Sequence, residues 1–204
     1  MKPRLSLTAL HVILLFFAAS AFAQKPESKP SPSPSPSPLK LEREKPFDGD
    51  VKFPEVEGWE LSSRQQYPTP EMGYSHNYAS DSGRVTVYVY NGGRTSIPNT
   101  LTGLVAEEVK MTQAGIMMFV ERGSYESAKE LKNETVTLGG AKGKVKALHV
   151  LYALRAGGRD LDSHIYLFPY NNYFVKIRMT GPPAKEPSTQ SLALFEALDL
   201  LFSK

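Results

Sequence analysis

The sequence predicts an α+β domain over residues 47–204, an antiparallel β-sheet covered by two main helices. Three observations predict it. Residues 134–180 run as successive strand-like segments joined by Gly-rich or Asn-rich turns, and residues 101–120 repeat apolar side chains at three- and four-residue steps. A second helical stripe of the same kind closes the chain at residues 192–202. Strands grouped together, with helices at the ends of the group, give α+β rather than an alternating parallel sheet. At 204 residues there is room for one such domain and its appendages.

The elements follow in order after an irregular stretch from Phe47 to Trp59. Tyr74–Ser80 and Val85–Tyr90 flank Asp81-Ser82-Gly83-Arg84 and read as a β-hairpin. In its second arm Val85, Val87 and Val89 alternate with Thr86, Tyr88 and Tyr90, and Asn91-Gly92-Gly93 ends it. A helix begins after Ile97-Pro98 with Asn99 as N-cap. Its stripe is Leu101, Leu104, Val105, Val109, Thr112, Ile116, Phe119 and Val120, and Arg122-Gly123 closes it. Gly103 and Gly115 inside it each cost ~1 kcal/mol relative to alanine, so close packing on a sheet is expected to hold it.

Four strands follow: Glu134–Leu138, Lys144–Arg155, Asp160–Phe168 and Tyr173–Thr180. A two-residue turn at Gly157-Gly158 pairs Arg155 with Asp160 and sets Leu148, Val150, Tyr152 and Leu154 beside Leu161, Ile165 and Leu167. A turn around Tyr170-Asn171-Asn172, with Phe168 opposite Phe174, adds Tyr173, Val175, Ile177 and Met179 to that apolar face. The other face is then mixed: His149, Leu151, Arg155, Asp160, Asp162, His164, Tyr166, Phe174, Lys176 and Arg178. Pro187-Ser188 opens the last helix, with Leu194, Phe195, Leu198, Leu201 and Phe202 as its stripe and Leu192 and Leu200 widening it.

Ahead of the domain stand two segments of other character. Residues 1–23 have the parts of a secretory signal: Lys2 and Arg4, an apolar run from Leu10 to Ala19, and Ala21-Phe22-Ala23 before Gln24. Residues 24–46 form a Pro/Ser-rich linker with four Ser-Pro pairs over Ser31–Pro38. Proline at every second position bars helix and sheet, so this stretch reads as a disordered, extended spacer. Cleavage at Ala23 makes the domain periplasmic or secreted. The alternative is a retained segment, Leu5–Ala23, about 28 Å long as a helix, that anchors the domain to a membrane. Either way Lys2 and Arg4 stay inside and the domain lies outside.

Composition narrows the function. The sequence has no cysteine, which removes lipid attachment at a cleavage-site cysteine, disulfides, thiolate metal sites and cysteine nucleophiles. The formal charge of +3 falls to 22 basic against 21 acidic side chains once Lys2 and Arg4 are removed, so no nucleic-acid partner is indicated. Asp160-x-Asp162-x-His164, with His149 on the next strand, is an oxygen and nitrogen set that suits a divalent ion. The competing reading pairs Asp160 with Arg155 and sets His164 against Arg178 with Asp162 diagonal. His76 lies between Tyr74 and Tyr78 and faces either a pocket or a hydrogen-bonded interior. Residues 47–204 hold no Gly-x-Ser-x-Gly elbow, Ser-x-x-Lys, Walker loop or dinucleotide glycine pattern, so no catalytic residue and no cofactor are assigned.

The order of hairpin, long helix, meander and final helix resembles the PsbP-like α/β/α sandwich of small exported proteins. So does Val136-Thr137-Leu138-Gly139-Gly140-Ala141-Lys142-Gly143 entering a long strand, and Phe53-Pro54-Glu55-Val56-Glu57-Gly58-Trp59 looks like the start of such domains. The resemblance covers residues 53–203 and implies an accessory, non-catalytic role, with no functional residue carried over. The expectation is a binding or accessory domain for an envelope protein or a small ligand, contacting it through His149, Tyr166, Phe174 and Lys176, with His76 as a further candidate. The rival is a metal-dependent or hydrolytic envelope enzyme built on His149, Asp160, Asp162 and His164.

Overall fold

The computed structural model describes residues 56–139 and 144–184. They form an α+β fold of one seven-stranded sheet and one α-helix. The strands are β1 (Glu60–Gln66), β2 (Tyr74–Ser80), β3 (Gly83–Tyr90), β4 (Ser127–Leu138), β5 (Val145–Ala156), β6 (Arg159–Tyr170) and β7 (Tyr173–Gly181), with α1 (Leu104–Glu121) between β3 and β4. The sheet order is β1-β2-β3-β7-β6-β5-β4, and every pairing is antiparallel. The chain therefore builds one half as a meander, crosses through α1 to the far edge, and returns strand by strand until β7 closes against β3. The final helix expected at Pro187–Phe202, the signal and the linker lie outside the described residues.

The helix starts later than Asn99 because Gly103 takes a positive φ of 59°, which ends the preceding turn rather than continuing a helix. Within α1, Val105, Val109, Thr112, Gly115 and Ile116 are buried at three- and four-residue steps. Its C-terminus closes as a Schellman motif: Ser124 N–H bonds the Phe119 carbonyl, Gly123 N–H bonds the Val120 carbonyl, and Gly123 sits at φ 72°. Gly73 is fixed by contact. A Cβ there would fall 1.8 Å from the Val89 carbonyl oxygen, so only glycine lets this turn lie on β3.

The two hairpins of the second half show how one turn decides a face. Gly157 and Gly158 both take positive φ, and Arg155 pairs with Asp160 as expected. At the next turn Asn171 (φ 46°) and Asn172 (φ 66°) do the same, so the loop has two residues, Tyr170 pairs with Tyr173, and Phe168 pairs with Val175. The expected pairing of Phe168 with Phe174 is off by one. A one-residue slip exchanges the two faces of a strand. Phe174, Lys176 and Arg178 therefore join Val150, Tyr152, Ile165 and Leu167 on the side of α1, while Val175, Ile177 and Met179 lie with Tyr166 and Phe168 on the other.

Both faces are buried. On the α1 side Val105, Val109 and Ile116 pack with Val150, Tyr152, Leu154, Ile165, Leu167 and Phe174. On the opposite side Val85, Val87, Val89, Val175 and Ile177 pack with Tyr74, Tyr78, Phe168 and Trp59. The edges are polar. β1 is Glu-Leu-Ser-Ser-Arg-Gln-Gln, and β4 is charged along its exposed first half and bulged between Glu130 and Lys132, which protects a sheet edge from pairing with other chains.

Candidate functional site

The α1 side of the sheet changes character from β6 to β3. Under the helix it is apolar. Beside the helix, the alternating positions of β7, β3 and β2 bring polar and aromatic groups together: Lys176 opposite Tyr88, Arg178 opposite Thr86, and Ser75 opposite Tyr88. Tyr67, Tyr88, Lys176 and Arg178 are all 9% exposed or less. Lys176 Nζ lies 4.9 Å from the ring centre of Tyr88 and 5.3 Å from that of Tyr90. The Tyr90 hydroxyl donates to Glu108 Oε1 of α1 at 2.7 Å.

Arg178 is braced rather than free. Its Nε donates to Ser163 Oγ at 3.0 Å and a terminal nitrogen donates to the Tyr125 hydroxyl at 2.9 Å, with the guanidinium over the Tyr125 ring. The Tyr67 hydroxyl and Ser75 Oγ share a hydrogen bond of 3.0 Å. Smaller polar groups continue the tract to the edge strand, where Thr86 Oγ1 donates to Asn77 Oδ1 and Asn77 Nδ2 donates to Ser63 Oγ.

The electrostatics follow from burial. Loss of water pulls the Lys176 ammonium down to about 8, against an opposing attraction from Glu108 and reinforced by repulsion from Arg178. Burial raises Tyr67 to about 12 and holds Tyr90 well above its ordinary value, with Glu108 adding to the latter. The hydroxyls therefore stay neutral donors and acceptors across the physiological range.

A second cluster lies on the opposite face between β4, β5 and β6. His149 Nε2 and His164 Nδ1 are 3.1 Å apart, and His149 Nδ1 is 3.4 Å from Glu134 Oε1. An ionised carboxylate only accepts, so His149 carries its proton on Nδ1, and His164 Nδ1–H donates to the His149 Nε2 lone pair. Tyr166 stacks on His149 with ring centres 4.5 Å apart and planes 10° from parallel. Desolvation lowers both imidazoles; Glu134 opposes it at His149, and at His164 the His149 ring reinforces it.

The site residues read from the sequence divide between these clusters. His149 and Tyr166 face away from α1; Phe174 and Lys176 face it. They do not share one contact surface, because the Asn171-Asn172 turn sets β7 one residue from the expected register. His76 belongs to the face opposite α1, 2% exposed, paired with Val87 and edge-on to Tyr74 at 5.4 Å. His164 pairs with Met179 rather than Arg178. Asp160 Oδ1 accepts from Arg155 at 2.8 Å at the hairpin tip, and among the described residues no three His, Asp or Glu side chains form a group that could hold a metal.

Sequence reasoning missed Tyr88, Tyr90, Glu108, Arg178 and Tyr125 as site residues. The signal was present in the alternation of Thr86, Tyr88 and Tyr90 and in the double asparagine, which together align β3 and β7.

No protein-family model and no curated protein matches the sequence. Among solved structures the chain is similar to the solution structure of cyanobacterial PsbP (CyanoP) from Synechocystis sp. PCC 6803, with 12% identity over 62% of this chain and 71% of that one and a TM-score of 0.39. A likeness of this size transfers neither residues nor activity.

Proposed function

We propose that the chain is exported and that its domain is a non-enzymatic binding domain whose ligand surface is the polar and aromatic tract beside α1. The observation that carries this reading is Lys176, a cation kept inside the fold over Tyr88 and Tyr90 at a cost in stability. Buried ionisable groups with a strongly shifted titration gather at functional sites, and that supports reading the tract as a ligand surface. The other gathered groups are already engaged with one another: the His149–His164 pair with Glu134, and Arg178 with Ser163 and Tyr125. On the tract's own face, Arg178 is held by Ser163 and Tyr125 in a fixed position that can orient a bound molecule.

Export is supported by the basic head, the apolar run and Ala21-Phe22-Ala23. The mass of the mature protein tests it: a chain beginning at Gln24 agrees, and one retaining residues 1–23 points to the anchored form. The binding reading is tested by a thermal-shift screen of small molecules on the wild type and on Tyr88→Leu. Ligands that stabilise the first and not the second support the tract. A screen whose hits stabilise both equally moves the site elsewhere.

A further inference from the structure

We infer that His149 Nε2 and His164 Nδ1 form a two-coordinate site for a closed-shell monovalent metal ion, copper(I), on the sheet face opposite α1. The inference is independent of the tract beside α1 and rests on the geometry of the imidazole pair.

The two rings meet head-on. Their facing nitrogens are 3.1 Å apart, their planes 3° from parallel and their centres 5.3 Å apart. That centre distance is close to the nitrogen gap plus the two ring radii, so each nitrogen points at the other along a shared axis. An ion held by four or six ligands needs lone pairs that converge at an angle, together with further donors. Among the described residues no third His, Asp or Glu joins the pair in a group that could hold such an ion. Two collinear imidazoles suit instead a closed-shell monovalent ion, which takes two ligands on opposite sides. Metal–nitrogen bonds of about 2 Å on each side ask for about 4 Å between the nitrogens, so the rings part by roughly 1 Å. His164 is the ring that yields, being half-buried where His149 is buried.

The surroundings are those of a ligand histidine. Metal-bound imidazoles donate their other N–H to a carboxylate, which fixes the tautomer and raises the basicity of the ligand nitrogen. His149 is already arranged this way: its Nδ1 faces Glu134 Oε1 at 3.4 Å, which leaves the Nε2 lone pair aimed at His164. Tyr166 lies flat on the His149 ring at 4.5 Å and keeps its plane. With an ion between the rings, His164 carries its proton on Nε2 instead of Nδ1, so a neutral nitrogen faces the metal from each side. The charges that act on the pair are Glu134 at His149 and Asp162 at His164, against Lys132 at both. Two carboxylates against one ammonium leave a balance that a single positive charge neutralises. The Lys132 and Glu134 side chains are 59% and 48% exposed, so an ion reaches the pair from β4.

The test is titration of the purified chain at pH 7.5 with silver(I) nitrate in chloride-free buffer, and with copper(I) kept reduced by ascorbate against a competing chelator. Silver(I) is the redox-inert stand-in for copper(I). The thioether of Met117, 45% exposed, also attracts both ions, so wild type is compared with His164→Leu throughout. The expected result is one saturable ion per chain that is absent from His164→Leu, a raised thermal unfolding midpoint, and X-ray absorption showing two nitrogen neighbours at about 2 Å. Glu134→Gln should bind about tenfold more weakly. That position is exposed, so this variant keeps the test open should His164→Leu not fold. Absence of saturable binding, silver binding without copper(I) binding, equal binding by the wild type and both variants, or three or more protein ligands on the ion would each overturn the inference. So would zinc(II) held through the same pair as tightly as copper(I), because zinc needs the converging donors that collinear rings do not offer.

Discussion

Replacing Lys176 with methionine leaves the volume of the side chain and removes its charge. The amine titrates at about 8 in the fold and at its ordinary 10.5 when unfolded. Each unit is worth about 1.4 kcal/mol, so keeping the ammonium charged inside the protein at pH 7 costs about 3 kcal/mol. Attraction by the faces of Tyr88 and Tyr90 returns about 1 kcal/mol of that. The variant is therefore expected to be more stable than the wild type by about 2 kcal/mol at pH 7.

The sign of the pH dependence follows from counting protons. Between pH 8 and 10.5 the unfolded chain holds a proton on this lysine that the folded chain has released, so the wild type gains stability as pH rises through that window. The advantage of the variant should shrink by more than half at pH 9.5. Urea unfolding of both proteins at pH 7, 8.5 and 9.5 measures it, and the raised tyrosines cancel in the difference. A variant that is destabilised at pH 7, or a difference flat across the range, would refute the claim that the amine is charged against a desolvation cost.

Other positions give sharp expectations. Both imidazoles of the His149–His164 pair are pushed down by desolvation, so the fold prefers them neutral and loses stability as pH falls below about 6.5. His164→Leu should flatten that acid limb in denaturant midpoints taken from pH 7 to pH 5, and an unchanged slope would count against the pair. Gly73→Ala forces a Cβ into the Val89 carbonyl at a positive φ, and a loss of about 3 kcal/mol or more is expected in urea unfolding. At the β6–β7 turn, Asn171→Gly relieves a positive φ and should be neutral or stabilising by up to about 1 kcal/mol. Asn172→Gly keeps the turn but loses the side-chain bonds to the Ile97 amide and the Thr95 carbonyl, so about 1–2 kcal/mol should be lost. Equal effects at the two positions would mean that the turn, not its tie to the 95–97 segment, carries the stability.

Much of the sheet was legible because its alternation is strong. Val85, Val87 and Val89, and the Gly157-Gly158 turn with Arg155 opposite Asp160, are local signals that need no knowledge of neighbours. β1 escaped notice because none of its residues is buried in the regular pattern that marks a strand, and the first half of β4 because its charges line an open edge around a bulge. The costliest miss was a single residue of register. Asparagine tolerates positive φ, so Asn171-Asn172 makes a two-residue turn that a longer loop around Tyr170 conceals. That slip put Lys176 and Phe174 with His149 and Tyr166, on the wrong side of the sheet from Tyr88 and Glu108. The site on the α1 side depends on β3 meeting β7 across 84 residues of chain order from Tyr90 to Phe174, which no local pattern encodes.

The most direct measurement is the titration of the Lys176 amine itself, followed by NMR with the side chain isotopically labelled. In the folded protein the amine should titrate near 8. An amine that titrates near its ordinary 10.5 would contradict the account of Lys176 as a cation held inside the fold at a desolvation cost.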